Sequence, residues 1–177
     1  VRRSGGKPAA PQIAAHLTPD DLGVVPFDGS GAAAGGGPTA AMERFHQAYR
    51  NHTNGDHAAA LEGFAAFLRD NPGHPYADNA LFWRGECYLA QGKLLRAVGE
   101  FERMLGRYPK SEKAPSGLYR IGFAYDRLND RVKASEYYFK VVERHPGTDA
   151  ARRASRRIAA LQETAGGGGV LPTAAKR

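Results

Sequence analysis

The sequence repeats itself with a period of 37 residues. Prolines stand at Pro72, Pro109 and Pro146, separated each time by that step. We call positions related by the step a column. Further columns hold alanine (Ala60, Ala97, Ala134), aromatic residues (Phe64, Phe101, Tyr138) and aliphatic residues (Leu68, Leu105, Val142). A period of this length is typical of a repeat architecture, in which each unit buries its apolar face against the next one.

Each unit reads as two amphipathic helices joined by a turn. The turns fall at Gly55, Gly92 and Asn129, and these residue types tolerate a positive φ angle. In each second helix an alanine precedes an aromatic residue by four positions, so both lie on one face. Proline then ends that helix, because it lacks an N–H group. Close approach of the two helices is predicted at small residues in the first helix: Ala48, Gly85 and Gly122.

These columns resemble the tetratricopeptide pattern. Repeat two carries it best, with Leu81, Gly85, Tyr88, Ala97, Phe101 and Pro109. Repeat one is weaker, since Arg44 and Asn51 stand where apolar residues are usual. The resemblance implies an all-α fold of three helical hairpins and a C-terminal capping helix, wound as a right-handed solenoid.

Composition divides the chain into three parts. Residues 1–41 are rich in Ala, Gly and Pro and are predicted to be a disordered linker, because they bury too little apolar surface to offset the entropy of ordering. Residues 42–163 form the predicted repeat domain. Residues 164–177, with four consecutive glycines, are predicted to be a second disordered tail.

After Pro146 the pattern starts again but does not finish, which predicts a single capping helix. Its predicted inward residues are Ala151, Ala154, Ile158 and Leu161. Its predicted outward residues are Arg152, Arg153, Arg156 and Arg157, which give either a solvated face or a basic rim for an acidic partner. The net charge of +7 suits an anionic partner, since charge of one sign steers the opposite sign. Nucleic acid is not expected, because the arginines fit no recognised nucleic-acid-binding motif.

Signals for catalysis, metals and cofactors are weak in the sequence. Cys87 is the only cysteine, which indicates a small structural residue rather than a thiolate cluster. The six histidines do not show the spacing of a metal-binding motif, so no metal site and no cofactor are predicted. The sequence therefore predicts a binding protein and not an enzyme.

In tetratricopeptide stacks the first helices line the concave surface, so the resemblance places a partner-binding groove there. Aromatic residues dominate the candidates, and such side chains often anchor a bound peptide. The shared column of Phe45, Phe82 and Tyr119 is equally consistent with packing between repeats, whereas Trp83 and Phe123 are favoured as groove residues. The predicted groove comprises Phe45, Tyr49, Asn79, Phe82, Trp83, Glu86, Tyr119, Arg120, Phe123 and Arg127.

The run from Ala77 to Trp83, placed shortly after Pro72, resembles the C-terminal domain of the periplasmic Tol-Pal system protein family (YbgF or CpoB). That resemblance implies a periplasmic adaptor that binds the Tol-Pal energy-transducing protein, and with it the peptidoglycan synthesis machinery, during cell division. It also implies oligomerisation through a coiled coil lying before Val1, and no direct membrane insertion. Outer-membrane assembly lipoproteins of the BamD type come second, because they usually have five such repeats, and a cytosolic tetratricopeptide adaptor remains open.

Overall fold

The computed structural model describes residues 39–165, which form seven α-helices and, within that range, no β-strand. The helices are α1 (Ala40–Thr53), α2 (His57–Asp70), α3 (Ala77–Ala90), α4 (Leu94–Arg107), α5 (Ala114–Arg127), α6 (Arg131–Arg144) and α7 (Asp149–Ala165). Each of the first six helices has 14 residues, and equivalent helices begin 37 residues apart. The predicted all-α fold of three hairpins and a capping helix is confirmed.

The turn inside each hairpin depends on a residue with a positive φ angle. Gly55, Gly92 and Asn129 have φ angles of 83°, 71° and 59°, as their column predicts. In the second hairpin the N–H of Lys93 then donates to the carbonyl oxygen of Tyr88 at 2.9 Å, which satisfies one of the last carbonyls of α3. The turn therefore reverses the chain and leads directly into the second helix.

Small residues bring the two helices of each hairpin into close contact. A Cβ atom at Gly85 would lie 2.5 Å from the ring of Phe101, and one at Gly122 would lie 2.8 Å from the ring of Tyr138. In the first hairpin the arrangement differs, because Gly63 of α2 faces Ala48 of α1. The predicted close approach is confirmed in all three hairpins.

The helices pack in two layers with the core between them. Each helix contacts the next in sequence, and α1 also contacts α3 while α5 contacts α7, so the first helices form one layer. The largest fully buried side chains come from the second helices and from α3 and α5. They include Phe64, Phe67, Leu81, Phe82, Phe101, Met104, Ile121, Tyr138 and Val141.

Helix α7 closes the stack as a single helix. Its N-terminus is capped by Thr148, whose hydroxyl oxygen accepts a hydrogen bond from the N–H of Ala151 at 3.2 Å. The inward residues are as predicted, since Ala151, Ala154, Ile158 and Leu161 are all buried. Helix α7 contacts both α5 and α6, so these residues cover the open end of the third hairpin.

The helical region extends slightly beyond residues 42–163, because α1 begins at Ala40 and α7 ends at Ala165. The predicted linker and tail otherwise lie outside the described residues. Among the seven helices there is none with the length and apolar character needed to cross a bilayer.

Candidate protein-binding site on the first helices

Helices α1, α3 and α5 carry the ten predicted groove residues, and the structure divides them into two equal sets. Five are buried: Phe45, Phe82, Trp83, Glu86 and Arg120. Five lie at least partly at the surface: Tyr49, Asn79, Tyr119, Phe123 and Arg127. Only the second set offers contact area to a partner in this conformation.

The sequence favours Trp83 as a groove residue, but the structure makes it a core residue, only 4% of which is exposed. Its indole meets Tyr49 edge-on, with ring centroids 4.8 Å apart, and Phe82 at 5.6 Å. The ring of His52 lies 5.1 Å away. Helix register predicted the direction of this side chain but not the rings that α1 places over it.

The column of Phe45, Phe82 and Tyr119, for which packing and binding were both open, packs mostly inward. Phe45 is buried and lies edge-on to Phe64 with centroids 5.4 Å apart. Phe82 is buried, whereas Tyr119 is only half-buried. The shared column therefore supports the core in the first two repeats and reaches the surface in the third.

Glu86 and Arg120 form a buried ion pair between α3 and α5. The Arg120 guanidinium donates to Glu86 Oε2 at 2.8 Å, and the two residues are only 8% and 5% exposed. Burial raises the pKa of Glu86, and the nearby Arg120 charge opposes this shift. Removing both charges from water is costly, so this pair holds two helices in register rather than offering free charges to a ligand.

The accessible part of the predicted groove is concentrated on α5. Phe123 is half-buried, and the guanidinium groups of Arg120 and Arg127 each lie 5.9 Å from its ring centroid. We call Tyr119, Phe123 and Arg127 the α5 patch. An aromatic face beside an exposed guanidinium suits an apolar side chain next to a carboxylate.

The predicted basic rim on α7 is largely exposed, but at least two of its arginines have acidic partners. Arg157 forms an ion pair with Asp126 of α5, and Arg152 forms one with Asp149 in the first turn of α7. Arg156 is exposed and its Nε donates to the Arg152 carbonyl at 3.4 Å, while Arg153 is half-buried. Part of the positive charge is therefore compensated within the fold.

The spacing of residues in the sequence did not reveal one cluster of side chains that could bind a metal ion. The structure brings His52, His57 and Cys87 together, with one possible ligand atom from each within 4.8 Å of the other two. His52 and His57 belong to the first hairpin, and Cys87 belongs to the second. The 37-residue repeat could have revealed this cluster, because the stacking of successive hairpins places Cys87 beside the end of α1. The spacing within a local motif could not.

The fold is that of known tetratricopeptide domains. The first such domain of human RPAP3 is 17% identical over 75% of this chain and all of its own length, with a TM-score of 0.60. The Sgt2 domain from Aspergillus fumigatus is 20% identical over 83% of this chain and 95% of its own, also at 0.60. PcrH from Pseudomonas aeruginosa is 14% identical over 73% and 94%, with a TM-score of 0.58. No curated protein matches this chain.

Residues 35–164 match the model of a protein family named YfiO and described as an outer membrane lipoprotein. This match covers more than half of the chain and includes all three hairpins and nearly all of the capping helix. The family agrees with the class that the sequence analysis placed second, whereas the narrower Tol-Pal resemblance is not confirmed. The chain therefore belongs to the YfiO outer membrane lipoprotein family.

Proposed function

We propose that this protein is a non-enzymatic scaffold of the bacterial cell envelope, which binds an acidic, partly apolar segment of a partner protein. The observation that carries this proposal is the α5 patch, where the half-buried Phe123 has the guanidinium groups of Arg120 and Arg127 each 5.9 Å from its ring centroid. The ring supplies rigid contact area, and the exposed guanidinium of Arg127 pairs with a carboxylate of the partner.

Two solved structures of the same fold support a peptide-binding role. One is the first tetratricopeptide domain of Spaghetti (RPAP3) bound to the HSP90 peptide SRMEEVD, with 15% identity and a TM-score of 0.58. The other is PcrH in complex with the chaperone-binding region of PopB, with 13% identity and a TM-score of 0.57. The first of these peptides is acidic and ends in apolar and acidic residues, which is the chemistry that the α5 patch suits.

The family description supports a place in the cell envelope, and we propose the periplasm as the compartment. Two roles there have separate support. The family match favours a component of outer-membrane assembly of the BamD type. The Ala77–Trp83 run favours a Tol-Pal adaptor that coordinates outer-membrane constriction with septal peptidoglycan synthesis.

A binding experiment tests both the patch and the role. Soluble domains of the Tol-Pal energy-transducing protein and of an outer-membrane assembly partner are titrated separately against the full chain. We expect Phe123→Ala and Arg127→Glu each to weaken binding of the true partner by about tenfold or more, as is usual for an interface anchor. Arg69→Glu is the matched control, because Arg69 is an exposed arginine on α2.

The partner that binds decides between the two roles. Binding that is unchanged in both α5 variants would contradict the proposed patch. Failure of both partners to bind would contradict both envelope roles. Trp83→Ala does not test the groove, because Trp83 is buried and its loss would act through stability.

A further inference from the structure

From the cluster of two imidazoles and one thiol at the junction of the first two hairpins, we propose a binding site for a thiolate-preferring d¹⁰ cation, Zn²⁺ or Cu⁺, formed by His52, His57 and Cys87. This site is independent of the proposed partner binding, since it is built by α1, α2 and α3, whereas the patch lies on α5. Sulfur with imidazole nitrogen is the ligand set that these two cations prefer.

The distances suit a single ion. Nδ1 of His52 lies 3.2 Å from Sγ of Cys87, and one ligand atom from each of the three residues falls within 4.8 Å of the others. With Zn–S near 2.3 Å and Zn–N near 2.05 Å, tetrahedral geometry places sulfur and nitrogen about 3.6 Å apart and two nitrogens about 3.3 Å apart. The His52–Cys87 separation is about 0.4 Å shorter than this value, and any other separation that approaches the 4.8 Å limit must shorten by about 1 Å when the ion binds.

His57 also shows a feature that the metal-free fold leaves unexplained. Its Nδ1 atom is enclosed, yet it makes no hydrogen bond among the described residues. A buried polar atom without a partner is costly. The ring centroid of His57 lies 5.2 Å from that of His52. A cation between the two rings would accept a lone pair from one nitrogen of each imidazole.

The electrostatics decide which protons move on binding. Burial, with a smaller effect of His57, lowers the pKa of His52 to about 4, so its imidazole is neutral and has a lone pair to offer near neutral pH. Burial also lowers the pKa of His57, although Asp56 opposes this shift. Burial raises the pKa of the Cys87 thiol to about 12, so without metal the thiol stays protonated, in hydrogen-bond contact with Nδ1 of His52. On binding, the thiol releases one proton to solvent, and the sulfur keeps the electron pair that forms the metal–sulfur bond.

The repeat provides matched variants for a test. One step of 37 residues later, the columns of His52, His57 and Cys87 hold Leu89, Leu94 and Ala124. His52→Leu, His57→Leu and Cys87→Ala therefore each introduce a residue that the fold already accepts at the equivalent position. His145→Gln is the control, since His145 lies at the end of α6, in the third hairpin.

The experiment uses the full chain, reduced and stripped of metal. Co²⁺ is added first as a spectroscopic probe, and Zn²⁺ and Cu⁺ are then titrated separately in competition with a chromophoric chelator. We expect one ion per chain, a thiolate-to-cobalt charge-transfer band, and quenching of Trp83, the sole tryptophan, whose ring lies 5.1 Å from that of His52. Each ligand variant should weaken binding by more than about a hundredfold, since even outer-shell changes cost 10- to 100-fold, while His145→Gln should bind normally.

Binding of either cation that depends on Cys87 and on both histidines would support the proposal. Binding that survives in Cys87→Ala would place the metal elsewhere and overturn the proposal. So would absence of the charge-transfer band in the wild-type chain, a result that does not depend on whether any variant folds. In that case the cluster is only a hydrogen-bonded contact between His52 and Cys87, packed beside aromatic rings.

Discussion

The first and second hairpins meet at what we call junction one, and the second and third hairpins meet at junction two. The same two columns form both junctions, but with opposite chemistry. At junction one, Tyr49 of α1 meets Trp83 of α3, with ring centroids 4.8 Å apart. One step of 37 residues later, at junction two, the same columns hold Glu86 and Arg120, which form an ion pair at 2.8 Å. An edge-on aromatic pair and a buried ion pair therefore occupy equivalent places in one fold.

The difference shows that the repeat fixes the backbone and leaves the junction chemistry free. An aromatic pair gains from burial and has little desolvation cost. An ion pair must recover the cost of dehydrating two charges, and it is strongly destabilising when only one partner is removed. The neutral junction is also where His52 and Cys87 lie, while their columns hold Asp126 and Ala124 by the third repeat.

Removing the indole at junction one should give the largest effect. Trp83→Ala deletes a side chain that is 4% exposed and packed against Tyr49, Phe82 and His52. We expect the free energy of unfolding to fall by about 4 kcal/mol, within the usual range for a buried tryptophan. Urea unfolding followed by circular dichroism measures this loss. A loss below about 1 kcal/mol would mean that the indole is accessible after all.

Removing one charge at junction two should cost slightly less and should be reversible by a second change. Arg120→Met leaves the Glu86 carboxylate buried without its partner, and we expect a loss of about 3 kcal/mol. The double variant Glu86→Leu with Arg120→Met should recover most of this loss, because no uncompensated charge remains. The same urea experiment tests both variants, with Arg69→Met on the exposed surface of α2 as control. If the double variant is no better than Arg120→Met alone, packing rather than charge holds junction two.

Acid should distinguish the junctions, because junction one contains a half-buried imidazole that stays neutral. The pKa of His52 is about 4 in the folded chain, against an ordinary value of 6.5. Between these values the unfolded chain binds a proton that the folded chain does not, so stability is present above pH 6.5 and is lost as the pH falls toward 4. At about 1.4 kcal/mol per pKa unit and with allowance for partial exposure, the loss is about 2 kcal/mol.

The acid effect is measured as a difference between two proteins in the presence of a chelator. Urea unfolding of the wild type and of His52→Leu is compared at several pH values from 7 down to 4. The free energy of unfolding of the wild type should fall relative to that of His52→Leu across this window. Trp83 fluorescence should change with a midpoint near pH 4, since a protonated imidazole quenches indole. Parallel pH profiles for the two proteins would show that His52 titrates normally.

Periodicity alone predicted the fold well. Every helix of the three hairpins follows the 37-residue step, because small residues such as Gly85 and positive-φ turns such as Gly92 specify the backbone locally. The capping helix was also predictable, since the apolar spacing of Ala151, Ala154, Ile158 and Leu161 continues the pattern.

The site was predicted less well, because burial depends on which side chains a neighbouring repeat contributes. Trp83 and Phe123 were given the same role, yet Tyr49 and His52 cover the first while the second stays half-exposed. The cluster with Cys87 was missed for the same reason. Cys87 is far along the chain from the two histidines, and the three residues meet only when α1 packs against α3. The spacing within a local motif therefore does not predict the cluster.

A substitution in a turn should have the smallest effect on stability. It also checks that the difference between the two junctions does not arise within the hairpins. Asn129 has a φ angle of 59° where the other two turns have glycine, so the third hairpin holds a side chain in a left-handed conformation. Asn tolerates that region, and glycine relieves the strain but adds freedom to the unfolded chain, so the two effects nearly cancel. We expect Asn129→Gly to change the free energy of unfolding by less than about 0.5 kcal/mol. A loss above about 1 kcal/mol would indicate that the Asn129 side chain stabilises the third hairpin, and the comparison of the two junctions would then need to be repeated in that background.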